Sequence, residues 1–324
     1  MQEEFPAVTV VIPNYNGKQL LSANLPGVCK AAAHYPGEVY IIVVDDGSSE
    51  AGTQELAERF SPIKYIQHAQ NKGFAEAILT GVKQAETELL FLLNSDVLPM
   101  VDSIQPLVSA IQDDMVFAVS PLILNEDSSA NRYSLNLKFW YCFDLKDVRW
   151  KMEQVVEARM NGPIEHLYCS GGSMLTRRSR FLAMGGFAPI FKPYYAEDKD
   201  LGIRAWRQGW RSIFEPNSRV VHQEFGTIGT HEKRDYVRMI QRRNSFFFEW
   251  SHLSLLKLLG YRSPFWLKQI IGRALRGDLV YLKGLGLALV EMKSVLQHRS
   301  LVFRNSDAFN FEQLIDRLSS LKRD

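Results

Sequence analysis

Runs of consecutive apolar residues, each stopped by a short polar turn, constrain this chain more than any other feature. Val8–Ile12 stops at Pro13, Val39–Val44 at Asp45-Asp46-Gly47, and Leu89–Leu93 at Asn94-Ser95-Asp96. Ile63–Gln67 and Val116–Ser120 are weaker runs of the same kind. Helical patterns lie between them. In the clearest, Phe74, Ala77, Ile78, Gly81, Val82 and Ala85 fall on one face of a helix over Phe74–Ala85. Strands that are apolar throughout and separated by helices predict a mostly parallel α/β sheet with helices on both faces. Such sheets bind ligands at the carboxyl ends of their strands. That rule gathers Asn14-Tyr15-Asn16-Gly17, Asp45-Asp46-Gly47-Ser48 and Asn94-Ser95-Asp96 on one edge.

This edge is acidic and rich in Asn, and it is not a phosphate cradle of backbone amides. G-x-G-x-x-G is absent after the first strand and G-x-x-x-x-G-K-[ST] is absent everywhere. A bare acidic edge repels a diphosphate, and a divalent metal bridging carboxylate and phosphate oxygens removes the conflict. The net charge of +2 gives no argument for nucleic acid. Three cysteines, Cys29, Cys142 and Cys169, form no C-x-x-C pair, so reduced thiols in a cytosolic protein are expected. The N-terminus lacks the apolar run of a signal peptide. No apolar run approaches the ~20 residues of a membrane helix; the longest, Leu279–Val290, carries Lys283. These features predict a cytoplasmic location.

The second half reads differently. Residues 121–165 are polar and irregular, with aromatics at Phe139-Trp140-Tyr141, and are expected to be a loop or flap. Tyr168–Thr176 reads as a strand with a close backbone approach at Gly171-Gly172. Asp198–Gln208 reads as a helix with an acidic first turn, ended by Gly209. Within it Asp200 and Arg204 are spaced as a structural pair, and Trp206 and Trp210 suit core packing better than sugar stacking. Residues 251–300 carry eight Lys/Arg against Asp278 and Glu291, interleaved with Leu, Trp and Phe.

Eight segments, in order, carry a resemblance: VTVVIPNYNG (8–17), VVDDGSS (43–49), NKGFAEAILTGVKQA (71–85), LLNSDV (92–97), CSGGSMLTRRS (169–179), GGFAPIF (185–191), YAEDKDLGIRAWRQGW (195–210) and VVHQEFG (220–226). Together they resemble family 2 glycosyltransferases of the GT-A, Rossmann-like fold, with the flavour of the bacterial rhamnosyltransferase-like, surface-polysaccharide branch. The resemblance spans roughly residues 7–245. It implies an inverting transfer of one sugar from a nucleotide diphosphate sugar (UDP-, dTDP- or GDP-linked) to a hydroxyl of a saccharide or lipid-linked saccharide. By the same resemblance Asp198 is the catalytic base. Pro13, Tyr15, Asp45, Asp46, Asn71, Gly73, Asn94, Ser95, Asp96 and Arg243 would contact the donor. Tyr15 would pack on the base and Asp46 would bond its edge. Gly171, Gly172 and Glu197 would line the acceptor side. Asp96 and His222 would hold Mn²⁺ or Mg²⁺, and the imidazole tilts the choice towards Mn²⁺. Asn94 replaces the first acid of the family's D-x-D. The Q-x-x-R-W motif of processive relatives is missing, which disfavours processive synthesis and leaves Arg243 in QRRN as a candidate to clamp the diphosphate.

The expected organisation is a GT-A domain over 1–250, with a nucleotide-sugar half (1–120) and an acceptor half (121–250), followed by a basic amphipathic helical tail over 251–324. Two readings of the tail stay open: peripheral contact with the anionic inner face of a membrane, or packing on the catalytic domain or on a second subunit as a homodimer. The rival functions are a sugar-phosphate nucleotidyltransferase, disfavoured because PNYNGKQ is not a Gly-rich basic loop, and a non-catalytic nucleotide-sugar-binding scaffold.

Overall fold

A computed structural model describes residues 5–60, 62–131, 133–141, 144–147, 162–223, 234–304 and 308–320. The chain opens with β1 (Val8–Asn14), α1 (Lys18–His34), β2 (Val39–Asp45), α2 (Thr53–Glu58), β3 (Ile63–Gln67), α3 (Phe74–Gln84), β4 (Leu89–Leu93) and β5 (Val97–Pro99). It continues with α4 (Ile104–Ala110), β6 (Val116–Leu124), the hairpin β7 (Lys138–Tyr141) and β8 (Asp144–Asp147), β9 (Ile164–His166), β10 (Ser173–Arg177) and α5 (Arg178–Ala183). Then come α6 (Glu197–Arg207), β11 (Arg211–His222) and α7 (Arg234–His252). A π-helical segment, Lys257–Arg262, leads into α8 (Ser263–Leu275), α9 (Leu279–Val290), α10 (Met292–Arg304) and α11 (Phe311–Ser320).

The main sheet runs β3-β2-β1-β4-β10-β6-β11-β5, with β9 also on β11. The apolar runs pair in parallel as their pattern predicts: β1 with β2 and β4, and β2 with β3. Side chains alternate between two covered faces. Val8, Val10 and Ile12 join Leu21, Leu25 and Val28 of α1, whereas Val11 joins Ala77, Ile78 and Val82 of α3. Each such fully buried Val, Leu or Ile contributes about 1.5–3 kcal/mol relative to exposure.

The rest of the sheet is mixed. β10 lies antiparallel between β4 and β6. Its first residue, Ser173, pairs with Leu93, the last of β4, so β10 starts at the edge where β4 ends. Gly171 and Gly172 therefore stand on the edge that carries the polar turns. The expected irregular stretch from 121 is partly ordered: β6 continues to Leu124 and β7 pairs with β8. Cys142 and residues 148–161 of that stretch, and Glu224–Gly226 of the VVHQEFG motif, lie outside the described residues. Cys29 and Cys169 are free thiols.

The tail does not stand apart. α7 runs through the boundary expected at residue 250. Leu258, Tyr281, Ala288, Val295, Phe311, Leu314 and Ile315 share one core with Phe191, Trp206, Phe214 and Phe247. Trp206 is fully buried and its indole N–H donates to the His166 carbonyl, as core packing requires.

One glycine sets the position of α6. A Cβ on Gly202 would lie 2.4 Å from Tyr168 Cβ and 2.9 Å from the Leu167 carbonyl oxygen. The obstructing atoms belong to or adjoin the backbone, so they cannot rotate away. Gly202→Ala is expected to cost about 1–3 kcal/mol, as overpacking does. It should also lower activity by lifting the helix that carries Asp198. A denaturant titration read beside an activity assay checks both; unchanged stability would mean that α6 and the Leu167-Tyr168 segment are not in contact.

Candidate active site

Asn94-Ser95-Asp96 forms the turn between β4 and β5. The Asn94 N–H donates to the Gly172 carbonyl at 2.8 Å, and the Val97 N–H returns to the Asn94 carbonyl. Asn24 of α1 donates from its side-chain amide to the Ser95 carbonyl at 2.8 Å. β5 pairs antiparallel with the end of β11, setting Val97 opposite His222. The Gln223 N–H donates to the Asp96 carbonyl, which closes the pairing. This brings His222 Nε2 to 3.8 Å from Asp96 Oδ2.

That separation is too long for a hydrogen bond, but it lets both atoms reach one cation at about 2.1 Å. Asp96 Oδ1 and Asn94 Oδ1 are buried without a partner, and an orphaned buried carboxylate oxygen is costly unless something binds it. Burial raises the Asp96 pKa, against the opposing pull of His222. The residues present therefore fit a divalent cation.

Asp198 sits in the first turn of α6. Its Oδ2 accepts from the Gly171 N–H at 3.3 Å and its Oδ1 from the Lys199 N–H at 2.8 Å. A Cβ on Gly171 would touch Asp198 Cβ, and one on Gly172 would lie 2.6 Å from the Asn94 amide nitrogen. The two glycines thus let one loop lie flush against Asn94 on one side and Asp198 on the other. Burial raises the Asp198 pKa. Glu197 is pushed up to about 8, by burial first and by the Asp198 charge second. Its Oε2 is buried without a partner.

Tyr195 (φ 75°) and Ala196 (φ 76°), just before α6, are both left-handed without being glycine. Such a turn costs energy and persists only where its surroundings hold it. Asn244 holds it. Its amide nitrogen lies 2.7–2.9 Å from the carbonyls of Phe191, Tyr194 and Tyr195. With two N–H bonds to give, it shares them among three acceptors. Arg243 completes the brace. Its guanidinium donates to the Lys192 carbonyl, to Asn244 Oδ1 and to Glu291. Arg243, expected as a diphosphate clamp, gives three of its five N–H donors to these protein acceptors and supports the turn that launches Asp198.

The turns after β1 and β2, expected to meet the nucleotide, are laced together. Asn14 donates to Asp45 Oδ2 at 2.8 Å, Ser48 N–H to Asp45 Oδ1, Asn16 N–H to Ser48 Oγ, and Ser49 N–H to Asn16 Oδ1. Asp45 is fully buried and shapes the turn. Pro13 is buried beneath it and Tyr15 is half-buried at its rim. Asp46, expected at a base edge, meets His68 Nδ1 at 2.6 Å and accepts from the N–H groups of Lys72 and Gly73 at 2.9 and 2.7 Å. It clamps the loop bearing the exposed Asn71 and the left-handed Gly73 (φ 93°).

A cluster that sequence reading missed lies behind α6. Asp200 Oδ1 meets His252 Nε2 at 2.9 Å and His298 Nε2 at 2.6 Å, while Arg204 holds Oδ2 at 2.7 Å. Among the described residues it is a group with metal-ligand composition. The Arg204 charge and two imidazoles already satisfy the carboxylate and keep its pKa well down. We read it as a structural knot that ties α7 and α10 to α6; Asp200–Arg204 is the pair expected from sequence.

A family model described as Glycosyl transferase family 2 matches residues 9–182, over half of the 324-residue chain. The chain belongs to glycosyl transferase family 2. Among related sequences, an N-acetylglucosaminyl-diphospho-decaprenol L-rhamnosyltransferase of Mycobacterium tuberculosis is 23% identical over 76% of this chain and 89% of its own length. Polypeptide N-acetylgalactosaminyltransferase 8 of Drosophila melanogaster is 25% identical over 68% of this chain, which spans only 38% of that enzyme. In structure the chain resembles GalNAc-T7, crystallised with UDP, GalNAc and Mn²⁺, at a TM-score of 0.60 and 20% identity, over 79% of this chain and 50% of that one. At that identity the likeness shows the GT-A fold alone.

Proposed function

We propose that this family 2 chain transfers a single sugar from a nucleotide diphosphate sugar to a hydroxyl of a saccharide or lipid-linked saccharide, with inversion at the anomeric carbon, in the making of cell-surface polysaccharide. One observation carries the reading. The loop Gly171-Gly172 joins Asn94, in the turn that bears Asp96, to Asp198, so a cation-binding pair and a half-buried base of raised pKa share one edge of the sheet. The rhamnosyltransferase activity of the mycobacterial relative supports the same class.

Asp96 and His222 would hold Mn²⁺ or Mg²⁺, which neutralises the donor diphosphate and acts as a Lewis acid on the leaving group. Asp198 accepts the proton of the attacking hydroxyl. Gly171 and Gly172 keep the wall between donor and acceptor thin enough for sugars on both sides to approach. Glu197, protonated near neutral pH, offers the acceptor a hydrogen-bond donor. Asp45 and Asp46 hold the turns around Tyr15, Asn71 and Gly73, where the nucleoside would lie. One base and one cation suffice for a single inverting step, whereas a glycosidase needs two carboxyl groups flanking the bond.

The test is a thermal-shift panel with UDP, dTDP, GDP and ADP, each with and without Mn²⁺. A ligand that binds only the folded state raises the melting temperature. A shift with one of the first three that grows with Mn²⁺ is the expected result. No shift with any of them would put the non-catalytic scaffold reading first.

A further inference from the structure

Among the described residues, seventeen large apolar side chains are exposed, and twelve of them lie between Leu255 and Phe303. They are not scattered. Leu255, Leu259, Leu267, Ile271 and Leu275 recur on a four-residue beat interrupted only at Ser263, and Leu279 extends it past Gly277. The π-helical segment Lys257–Arg262 has a wider turn than an α-helix, which suits that beat. Leu256, Leu267 and Leu275 are 83%, 60% and 84% exposed, and α8 contains no buried residue at all. Leu267, Ile271 and Leu275, at successive four-residue steps, thus form an exposed apolar ridge along α8 of a kind that soluble surfaces rarely leave open.

From Trp250 to Gly277 there is no Asp or Glu, while Lys257, Arg262, Lys268, Arg273 and Arg276 fall within that span. Arg262 is buried against Asp144 and Glu249 and Arg273 pairs with Asp278, so the outward positive charge rests on Lys268 and Arg276. Lys268 and Arg276 are exposed next to the ridge. An apolar stripe flanked by cations matches an anionic lipid surface, with acyl chains under the stripe and headgroup phosphates beside it. No described helix is long and apolar enough to cross a membrane, so the contact would be a seat rather than a span.

The ridge also has a route to the active-site edge. Trp266 lines an apolar groove of about 530 Å³ with Pro264, Leu267 and Ile270. On its other side Trp266 lines a cavity of about 410 Å³ that reaches Ala196 and Lys199, the residues flanking Glu197 and Asp198, and includes Arg242 and Arg273. We propose that residues 255–279 seat the protein on an anionic bilayer, with the mouth of this cavity turned to the lipid so that a membrane-held acceptor meets Asp198 from that side. The acceptor clause rests on the transferase reading; the seat itself rests only on the ridge and its charges.

Flotation of the full chain with vesicles of phosphatidylcholine alone, and of phosphatidylcholine with phosphatidylglycerol, tests the seat. Wild type is expected to float with the anionic vesicles and to lose binding as salt rises. The triple variant Leu267→Ser/Ile271→Ser/Leu275→Ser should partition at least about tenfold more weakly. Lys268→Glu/Arg276→Glu, which leaves the ridge untouched, should weaken binding about fivefold or more per charge. Absence of wild-type flotation at low salt overturns the proposal, as does undiminished binding by both variants. Light scattering that shows a wild-type dimer split by the triple variant also overturns it, because the ridge would then be covered by a second copy. The nucleotide thermal shift, read on the same samples, reports the donor site separately, so failure of one reading is not mistaken for failure of the other.

Discussion

Asp198→Asn is expected to reduce turnover about a hundred- to ten-thousand-fold, the range that a positioned general base supplies, while leaving the Mn²⁺-dependent nucleotide shift intact. Asparagine keeps the shape and an oxygen for the Gly171 or Lys199 N–H, but it cannot take a proton. The wild-type rate should rise with pH through a range above that of an ordinary carboxylate, because burial raises the Asp198 pKa. Stability should move the other way. Glu197 has its pKa raised from 4.5 to about 8, so between those values the folded state binds more protons than the unfolded one. Stability is thus fully present below pH 4.5 and is lost as pH rises through about 8. Removing the neighbouring Asp198 charge relieves part of that loss, so the variant should melt higher than wild type at alkaline pH. A single-turnover assay and melting curves across that window measure both effects. Turnover within tenfold of wild type would remove Asp198 from the role of base.

Asp96→Asn is expected to abolish the part of nucleotide binding that depends on metal and to cut the rate by about two to three powers of ten. Lewis-acid stabilisation of the leaving group is worth several kcal/mol, and each 1.36 kcal/mol is tenfold. The side chain is buried and one of its oxygens has no protein partner, so the substitution takes the charge from a cation ligand while keeping an oxygen for the contacts with Asn94 and the backbone. His222→Ala should cost less. The His222 side chain is 39% exposed, and water can fill the coordination position that it vacates. Calorimetric titration of Mn²⁺ with nucleotide diphosphate, with chelator as control, separates the two variants. Persistence of metal-enhanced binding in Asp96→Asn would place the cation elsewhere.

The parts of this structure that were legible in sequence are those written in local pattern. β1, β2 and β4 were readable because each is apolar on both faces and stops at a polar turn, and α3 because its apolar stripe is regular. The edge that collects Asp45 and Asp96 followed from strand direction, but the arrival there of the Gly171-Gly172 loop did not. What was not legible depends on contacts between distant residues. Nothing near Asp96 announces that β5 pairs with the end of β11 and sets His222 beside it. The direction of β10 is fixed by where the long connection from β6 re-enters the sheet. The contacts of Asp46 with His68, Lys72 and Gly73 were hidden because those residues lie on a separate loop, and those of Arg243 because Lys192 and Glu291 are remote in sequence. Gly202 gave no signal, since a glycine required by close packing looks the same in sequence as one that is merely tolerated.

The knot around Asp200 bears on how a chain like this can be rebuilt. His252 and His298 come from beyond the stretch that carries the sequence resemblance, yet they grip the helix that presents Asp198 from only two residues away. A graft that exchanged the C-terminal helices for those of another enzyme would leave a buried carboxylate facing one arginine, with two of its three partners gone. The tail is therefore not an interchangeable cassette. Inheritance of a new acceptor preference through this region would have to bring the histidines along, or change Asp200 in the same step.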